Sequence, residues 1–434
     1  MTVYGIIYLI LALALVLFSL RHRLDLLYVC ANCYVMYTIY CIFGYGLSGA
    51  YYPTLSAKLY MCVYMQMAII LAFTWMYRHS IRGTIGEKSY NSNTSSRKIS
   101  LGNFVIGDIV TVSFEIYLII MLLFAIINIA GIGFSGLAEG KANVWEQTNV
   151  FYVISLYGAY PAFAFGLHTN NKKIWVPAVL IELTIFFAGS RAFFTTMIII
   201  FLCEKGSELW RNRKSNLRLL IIGVIGIVFL LVYRAVDQSI MAGDFRAVAT
   251  TLSNPATWLE ALEFNEPRVI IANYDYIVSH NIRLPLDDML FRIIDFLPGA
   301  TKIIPFSLSY NEYFSEVLRS LVGAVRGVGG SFWGESYAMF GIFGVPFMTL
   351  IWLFFVRWGN SHLSYRDESS YFIVSVCAYL SWYINRLDYN LVGQACKVML
   401  FCYMIWAVIF LLLGGEVKIF KLKIRLSRLS NSAK

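Results

Sequence analysis

Long runs of apolar residues, separated by short polar segments, dominate the pattern along the chain. A bilayer core of about 30 Å takes about 20 helical residues to cross, so each such run predicts a membrane-spanning helix. The runs predict about eleven spans, near residues 2–20, 26–48, 57–77, 109–131, 150–167, 174–188, 192–204, 217–233, 337–356, 369–386 and 394–413. We therefore expect an all-α fold, a polytopic transmembrane helical bundle.

The weakest boundary in this pattern lies between 174–188 and 192–204. Only Gly189, Ser190 and Arg191 separate these two short runs, and one long tilted helix is the alternative. The choice decides topology, because an odd number of spans there would put every later loop on the opposite side.

Charge favours two spans. With two, a single side of the membrane holds 22 of the 35 Lys and Arg residues, including the tail from Lys418 to Lys434. Cytoplasmic loops of membrane proteins are enriched in Lys and Arg. We expect a bacterial inner-membrane protein with a cytoplasmic carboxyl terminus.

One long segment, 234–336, then faces outward as a periplasmic loop. It separates a membrane bundle of residues 1–233 from a second bundle of residues 337–413, and a basic tail follows over 414–434. Its eight basic and twelve acidic residues make it net negative. The chain's net charge of +10 is thus a topology signal, and we expect no nucleic-acid partner. At 59% hydrophobic and 14% charged, the chain is not an ordinary soluble domain.

Two helices are predicted inside this loop, and both could lie on the membrane surface. Asn265 suits an N-cap and Pro267 an early helical position, ahead of an amphipathic stretch to about Ser279. The second helix is predicted from Ser309 to Val322, with apolar residues on one face.

A glycine-rich stretch from Gly323 to Tyr337 leads from the loop into the next span. Backbone N–H groups and the positive end of a helix dipole favour a phosphate there, and Arg326 would add a donor. The alternative is a flexible turn in which Ser331 simply caps the helix.

Arginines at the outer side are candidates for binding a diphosphate, because a guanidinium can bind diphosphate oxygens bidentately. Salt bridges with loop acids are the alternative for each one. The candidates are Arg191, Arg234, Arg268, Arg319, Arg326 and Arg386. The histidines lack metal-ligand spacing, so we expect no metal site and no cofactor.

The chain resembles the O-antigen polymerase (Wzy) family in the number of its spans, in the long periplasmic loop before the last few of them, and in two local patterns. The first pattern is Gly189-Ser190-Arg191 opening an apolar helix. The second runs from Gly334-Glu335-Ser336-Tyr337 through Phe340-Gly341 to Gly344, similar to a G-E-x-Y-x-x-F-G-x-x-G entry into a late helix.

The resemblance implies a metal-independent glycosyltransferase related to the GT-C fold. Its donor and acceptor would be undecaprenyl-diphosphate-linked oligosaccharides, and it would act in the periplasmic leaflet beside a flippase and a chain-length regulator. Arg191, Arg268, Arg319 and Arg326 would stabilise the leaving diphosphate. Glu335 is the first candidate for general base and Asp275 the second. For Glu335, an acid that complements the helix dipole is the alternative.

Other functions remain open at this point. An O-antigen ligase shares the layout but transfers the finished glycan to lipid A-core. A flippase or other transporter of lipid-linked oligosaccharides needs no catalytic base, but transporters usually show structural repeats that are not found here. A non-catalytic partner of a synthase is the third alternative.

Overall fold

The computed structural model describes thirteen stretches of the chain. They are residues 2–20, 25–44, 54–81, 98–101, 104–138, 147–187, 192–211, 244–254, 266–298, 331–365, 367–415, 417–419 and 422–424. The helices within them are α1 (Val3–Leu20), α2 (Leu26–Thr38), α3 (Ala57–Ile81), α4 (Ile109–Ala138), α5 (Val150–His168), α6 (Lys172–Phe187), α7 (Ala192–Arg211), α8 (Phe245–Ser253), α9 (Glu266–Ser279), α10 (Leu286–Ile294), α11 (Phe332–Phe340), α12 (Gly344–Tyr365), α13 (Ser370–Tyr383) and α14 (Tyr389–Leu412). Short 3-10 turns follow α2 at Ile39–Ile42 and join α11 to α12 at Gly341–Phe343.

Two short antiparallel hairpins accompany the helices, so the all-α prediction was incomplete. Strands β1 (Lys98–Leu101) and β2 (Phe104–Asp108) form one, with a register shift between Ile99 and Ser100. Strands β3 (Val417–Ile419) and β4 (Leu422–Ile424) form the other. Both lie in polar segments that the hydropathy pattern treats only as loops.

Five helical segments among the described residues are long and apolar enough to cross a membrane. They are Ala57–Tyr77, Ile109–Gly133, Val150–His168, Phe332–Leu363 and Tyr389–Leu412. Val3–Ser19 and Leu26–Ile42 are apolar but shorter. The class of helical membrane protein is therefore confirmed, whereas the number of about eleven spans stays a prediction, and the span predicted at 217–233 lies outside the described residues.

The chain divides into two compact units. The first unit comprises residues 1–81, 205–361 and 377–397, and the second comprises 82–204, 362–376 and 398–434. Aromatic rings form the core of the second unit, where Phe114 stacks on Phe165 with centroids 4.2 Å apart and meets Tyr371, Phe372 and Trp406.

In the first unit, α9 confirms the helix predicted to end near Ser279, but its expected surface position is wrong. The helix packs against α2, α3 and α11. Apolar side chains all around it are buried, as are Asn273 and Asp275. A helix that is buried on most of its faces is a core helix. The second predicted loop helix, 309–322, lies outside the described residues.

The span predicted at 337–356 begins earlier, at Phe332, because Ser331 caps α11. The Ser331 Oγ accepts a hydrogen bond of 3.3 Å from the Gly334 N–H, as the alternative reading of the glycine-rich stretch predicted. The helix ends at Gly341, whose φ of +70° is a left-handed conformation that glycine adopts without strain.

Candidate functional site

A fully buried carboxylate, Glu335, occupies the first turn of α11 in the first unit. Burying a charge is costly unless it is paired and hydrogen-bonded. Both needs are met here. The Arg292 Nε lies 3.0 Å from Glu335 Oε1, and the backbone N–H of Tyr389 donates to Oε2 at 2.6 Å. Three segments that are distant in sequence thus meet at one carboxylate.

Arg292 is supplied by α10, a helix that the sequence pattern did not reveal. The residue is 4% exposed, so the whole guanidinium is held inside the protein. The arginines predicted to bind a diphosphate do not include Arg292, which lies beside neither a glycine turn nor a span end. A signal existed nonetheless: Leu286, Leu290 and Ile293 follow helical spacing, which places Arg292 on another face.

The amino end of α14 closes the site. Asp388 caps this helix, since its Oδ1 accepts from the Leu391 N–H at 3.0 Å, and it is fully buried. The Tyr389 ring stacks on Phe332 at 4.2 Å, and its hydroxyl lies 3.0 Å from the Ser336 Oγ. The amino ends of α11 and α14 therefore meet, and their positive dipole ends favour the two carboxylates there.

Further polar and aromatic groups belong to the same unit as the pair. The Trp333 indole N–H donates to the Asn385 Oδ1 at 2.9 Å. Arg268 on α9 is 3% exposed, and Arg386 lies over the Tyr383 ring at 5.3 Å. Of the arginines predicted to bind a diphosphate, these two are described and both belong to the first unit.

Asp275, the second candidate base, has a different set of neighbours. Its Oδ1 accepts from the backbone N–H of Ser56 at 3.1 Å and also from the Ser56 hydroxyl. Ser56 in turn caps α3 through Leu59. Burial raises the pKa of Asp275, while the two Ser56 hydrogen bonds partly oppose that rise. In this structure Asp275 fixes the start of α3.

Four of the predicted substrate-binding residues, Arg191, Arg234, Arg319 and Arg326, lie outside the described residues. Lys397 on α14 contacts Asp295 at 2.9 Å. Asp295 follows α10 directly, so this contact anchors that helix.

The described residues offer no group of three or more His, Cys, Asp or Glu side chains suited to a metal ion. What the site does offer is a carboxylate that can accept a proton and a guanidinium that can stabilise an anion. No protein-family model matches the sequence, and it matches neither a curated protein nor a solved structure. The function therefore has to be argued from these residues.

Proposed function

We propose that the chain is a glycosyltransferase that polymerises undecaprenyl-diphosphate-linked repeat units of a surface polysaccharide. The bond between the growing glycan and its diphosphate breaks, and a bond to a hydroxyl of the next lipid-linked unit forms. The hydroxyl proton passes to a base, and the lipid diphosphate leaves. The observation that carries this proposal is the buried Arg292–Glu335 pair, because its Glu335 lies within the Gly334–Gly344 pattern that resembles O-antigen polymerases.

Each residue of the pair meets one requirement of the transfer. Glu335 accepts the proton of the attacking hydroxyl, a task for which carboxylates serve as general bases. Arg292 stabilises the charge that develops on the leaving diphosphate, because preorganised donors lower the barrier of such a step. Arg268 is a second candidate donor, and Arg191 and Arg326 stay predicted contacts to the diphosphate.

Energetics also support a functional pair. Replacing a buried ion pair by well-packed apolar residues is often neutral or stabilising, so stability alone gives little reason for Arg292 and Glu335 to be buried. Charged groups within membrane segments are rare and usually functional. The proposed setting is the bacterial inner membrane, with a GT-C-like bundle and the 234–336 segment on the periplasmic side.

The test is a polysaccharide gel from the source bacterium lacking this gene. Lipopolysaccharide capped with a single repeat unit supports the proposal. Bare core together with polymer on the carrier lipid indicates a ligase, and repeat units retained on the cytoplasmic side indicate a flippase. Either of these results contradicts the proposed polymerase.

Complementation then tests the site itself. Glu335→Gln and Arg292→Lys are expected to abolish the polymer ladder when expression is adjusted so that immunoblots show wild-type protein levels. The matched control is Asp287→Asn, which changes an exposed acid on the same helix as Arg292 and should retain the ladder. A full ladder from Glu335→Gln would exclude Glu335 as the base.

A further inference from the structure

A stripe of exposed apolar side chains runs along α10. Leu286, Leu290 and Ile293 are 67%, 43% and 48% exposed, and Leu297 just beyond the helix is 62% exposed. The spacing of the first three, four residues and then three, places them on one helical face. Exposed apolar surface of this kind marks a contact with another apolar phase or partner.

The other side of the same helix is firmly held by the protein. Arg292 is buried and contacts Glu335, and Asp295 at the carboxyl end contacts Lys397. The exposure of the stripe therefore comes from a well-packed helix that presents two different faces. One face carries charge inward, and the other carries leucine and isoleucine outward.

Contacts at both ends show how α10 lies relative to α11 and α14. Before the helix, the Leu284 N–H donates to the Ala338 carbonyl at 2.9 Å. After it, Phe296 lies 3.7 Å from the position of a Cβ on Gly393. Ala338 and Gly393 are the seventh and fifth residues of their helices. At 1.5 Å per residue, the two contacts lie roughly 6 and 9 Å beyond the amino ends.

Those two amino ends are at the same level, because the Tyr389 ring stacks on Phe332. A helix joined to both at similar depth runs across them, roughly parallel to the membrane plane. Amphipathic helices in the plane of a membrane bury their apolar face about 5 to 10 Å into the boundary between headgroups and acyl chains, the same range.

The apolar surface also continues onto a membrane-spanning segment. The Arg283 Nη1, three residues before α10, donates to the Tyr337 carbonyl at 2.7 Å. Just beyond Tyr337, Phe340 and Phe343 are 37% and 80% exposed within the candidate span Phe332–Leu363. Side chains that are exposed on a membrane-spanning helix at such a depth face hydrocarbon.

We propose that α10 is an in-plane membrane helix whose Leu286, Leu290, Ile293 and Leu297 stripe contacts lipid acyl chains. The inference goes beyond the proposed function and does not depend on it. In this position α10 separates the lipid acyl chains from the buried Arg292–Glu335 pair.

The experiment uses spin labels on cysteines introduced into the full chain, reconstituted in phosphatidylglycerol and phosphatidylethanolamine vesicles. Leu290→Cys and Ile293→Cys report on the stripe. Asp287→Cys, at an exposed polar position of the same helix, is the matched control. Wild-type protein carried through the same labelling gives the background from the eight native cysteines. Collisions are measured with oxygen, which concentrates in bilayers, and with a water-soluble nickel chelate.

The ratio of oxygen to nickel collisions is expected to be several-fold higher at Leu290→Cys and Ile293→Cys than at Asp287→Cys. High nickel collision rates at both stripe positions would place the stripe in water and overturn the proposal. Low rates with both reagents would show that protein covers the stripe, either another part of this chain or a second copy, and would overturn it equally. Two stripe positions keep the test decisive if one variant fails to fold.

Discussion

At the scale of single residues, two buried acids are in opposite situations. Glu335 is paired with Arg292 and hydrogen-bonded to the Tyr389 backbone. Glu182 on α6, in the second unit, is fully buried, and neither of its carboxyl oxygens has a hydrogen-bond partner among the described residues. The physical cost of burying a carboxyl is offset in the first case and not in the second.

Breaking the Arg292–Glu335 pair from one side should be strongly destabilising. Arg292→Met leaves Glu335 buried without its cation, which costs about 3–5 kcal/mol for a pair of this kind. The double variant Arg292→Met/Glu335→Gln removes both charges and should recover most of that loss. Thermal unfolding in detergent micelles measures both. Equal losses in the single and double variants would contradict a direct ion pair.

Glu182→Met should leave stability unchanged or raise it, by about 1–2 kcal/mol, because the substitution removes polar atoms that lack partners. Thermal unfolding of this variant and of Glu182→Gln gives the measurement. A loss above about 2 kcal/mol in both would show that the carboxyl makes a stabilising contact. Loss of the polysaccharide ladder with normal stability would instead assign Glu182 a functional role.

At the scale of elements, Asp275 joins α9 to the start of α3 and makes stability depend on pH. Burial raises the pKa of Asp275, so the folded protein holds this proton more tightly than the unfolded chain. The stability that protonated Asp275 contributes is complete below the ordinary Asp pKa of about 3.9. It is lost as the pH rises through the pKa of Asp275 in the folded protein.

Asp275→Asn cannot ionise, yet its amide oxygen can still accept from Ser56. The variant should therefore gain stability relative to wild type as the pH rises from the ordinary Asp pKa of about 3.9 through the raised folded value. Unfolding midpoints of the two proteins across that range provide the test. A difference that stays constant with pH would mean that Asp275 keeps an ordinary pKa.

The junction of α11 and α12 should tolerate no side chain at Gly344. A Cβ there would lie 2.2 Å from the Ser336 carbonyl oxygen, a backbone atom one residue from Glu335. We expect Gly344→Ala to cost about 2–3 kcal/mol and to weaken the polysaccharide ladder. Gly131→Ala in α4 is the control, since its Cβ meets nothing within 4 Å. Equal stability of the two variants in detergent would contradict this packing.

The sequence predicted the helices that have a strong apolar periodicity or clear capping residues and prolines at their ends. It missed the helices that lack these features. Asn265 and Pro267 correctly indicated the start of α9, but amphipathicity suggested a surface that tertiary packing overrides, because α2, α3 and α11 cover it. The nine-residue helix α10 was missed because it is short and Pro285 before it makes no side-chain cap. Arg292 was overlooked together with the helix that carries it.

At the scale of the whole molecule, hydropathy predicted the helices well, because a bilayer requires long apolar segments with internally bonded backbones. Every predicted span except 217–233 overlaps a described helix. The candidate site was only half predictable. Glu335 stood in a recognisable pattern, whereas its partners Arg292 and Tyr389 lie 43 and 54 residues away in sequence. Pairing over such distances is set by packing, which no local pattern encodes.

Topology gives the final prediction, because orientation depends on the two-span division at Gly189 to Arg191. Lys172 and Asp287 are both exposed, and the charge bias assigns them to opposite sides of the membrane. In intact spheroplasts, a membrane-impermeant maleimide should label Asp287→Cys but label Lys172→Cys only after permeabilisation. The unmodified protein supplies the background. If both positions react alike, an even number of spans separates them and the two-span division fails. If neither reacts before permeabilisation, the proposed periplasmic position of the Arg292–Glu335 pair fails as well.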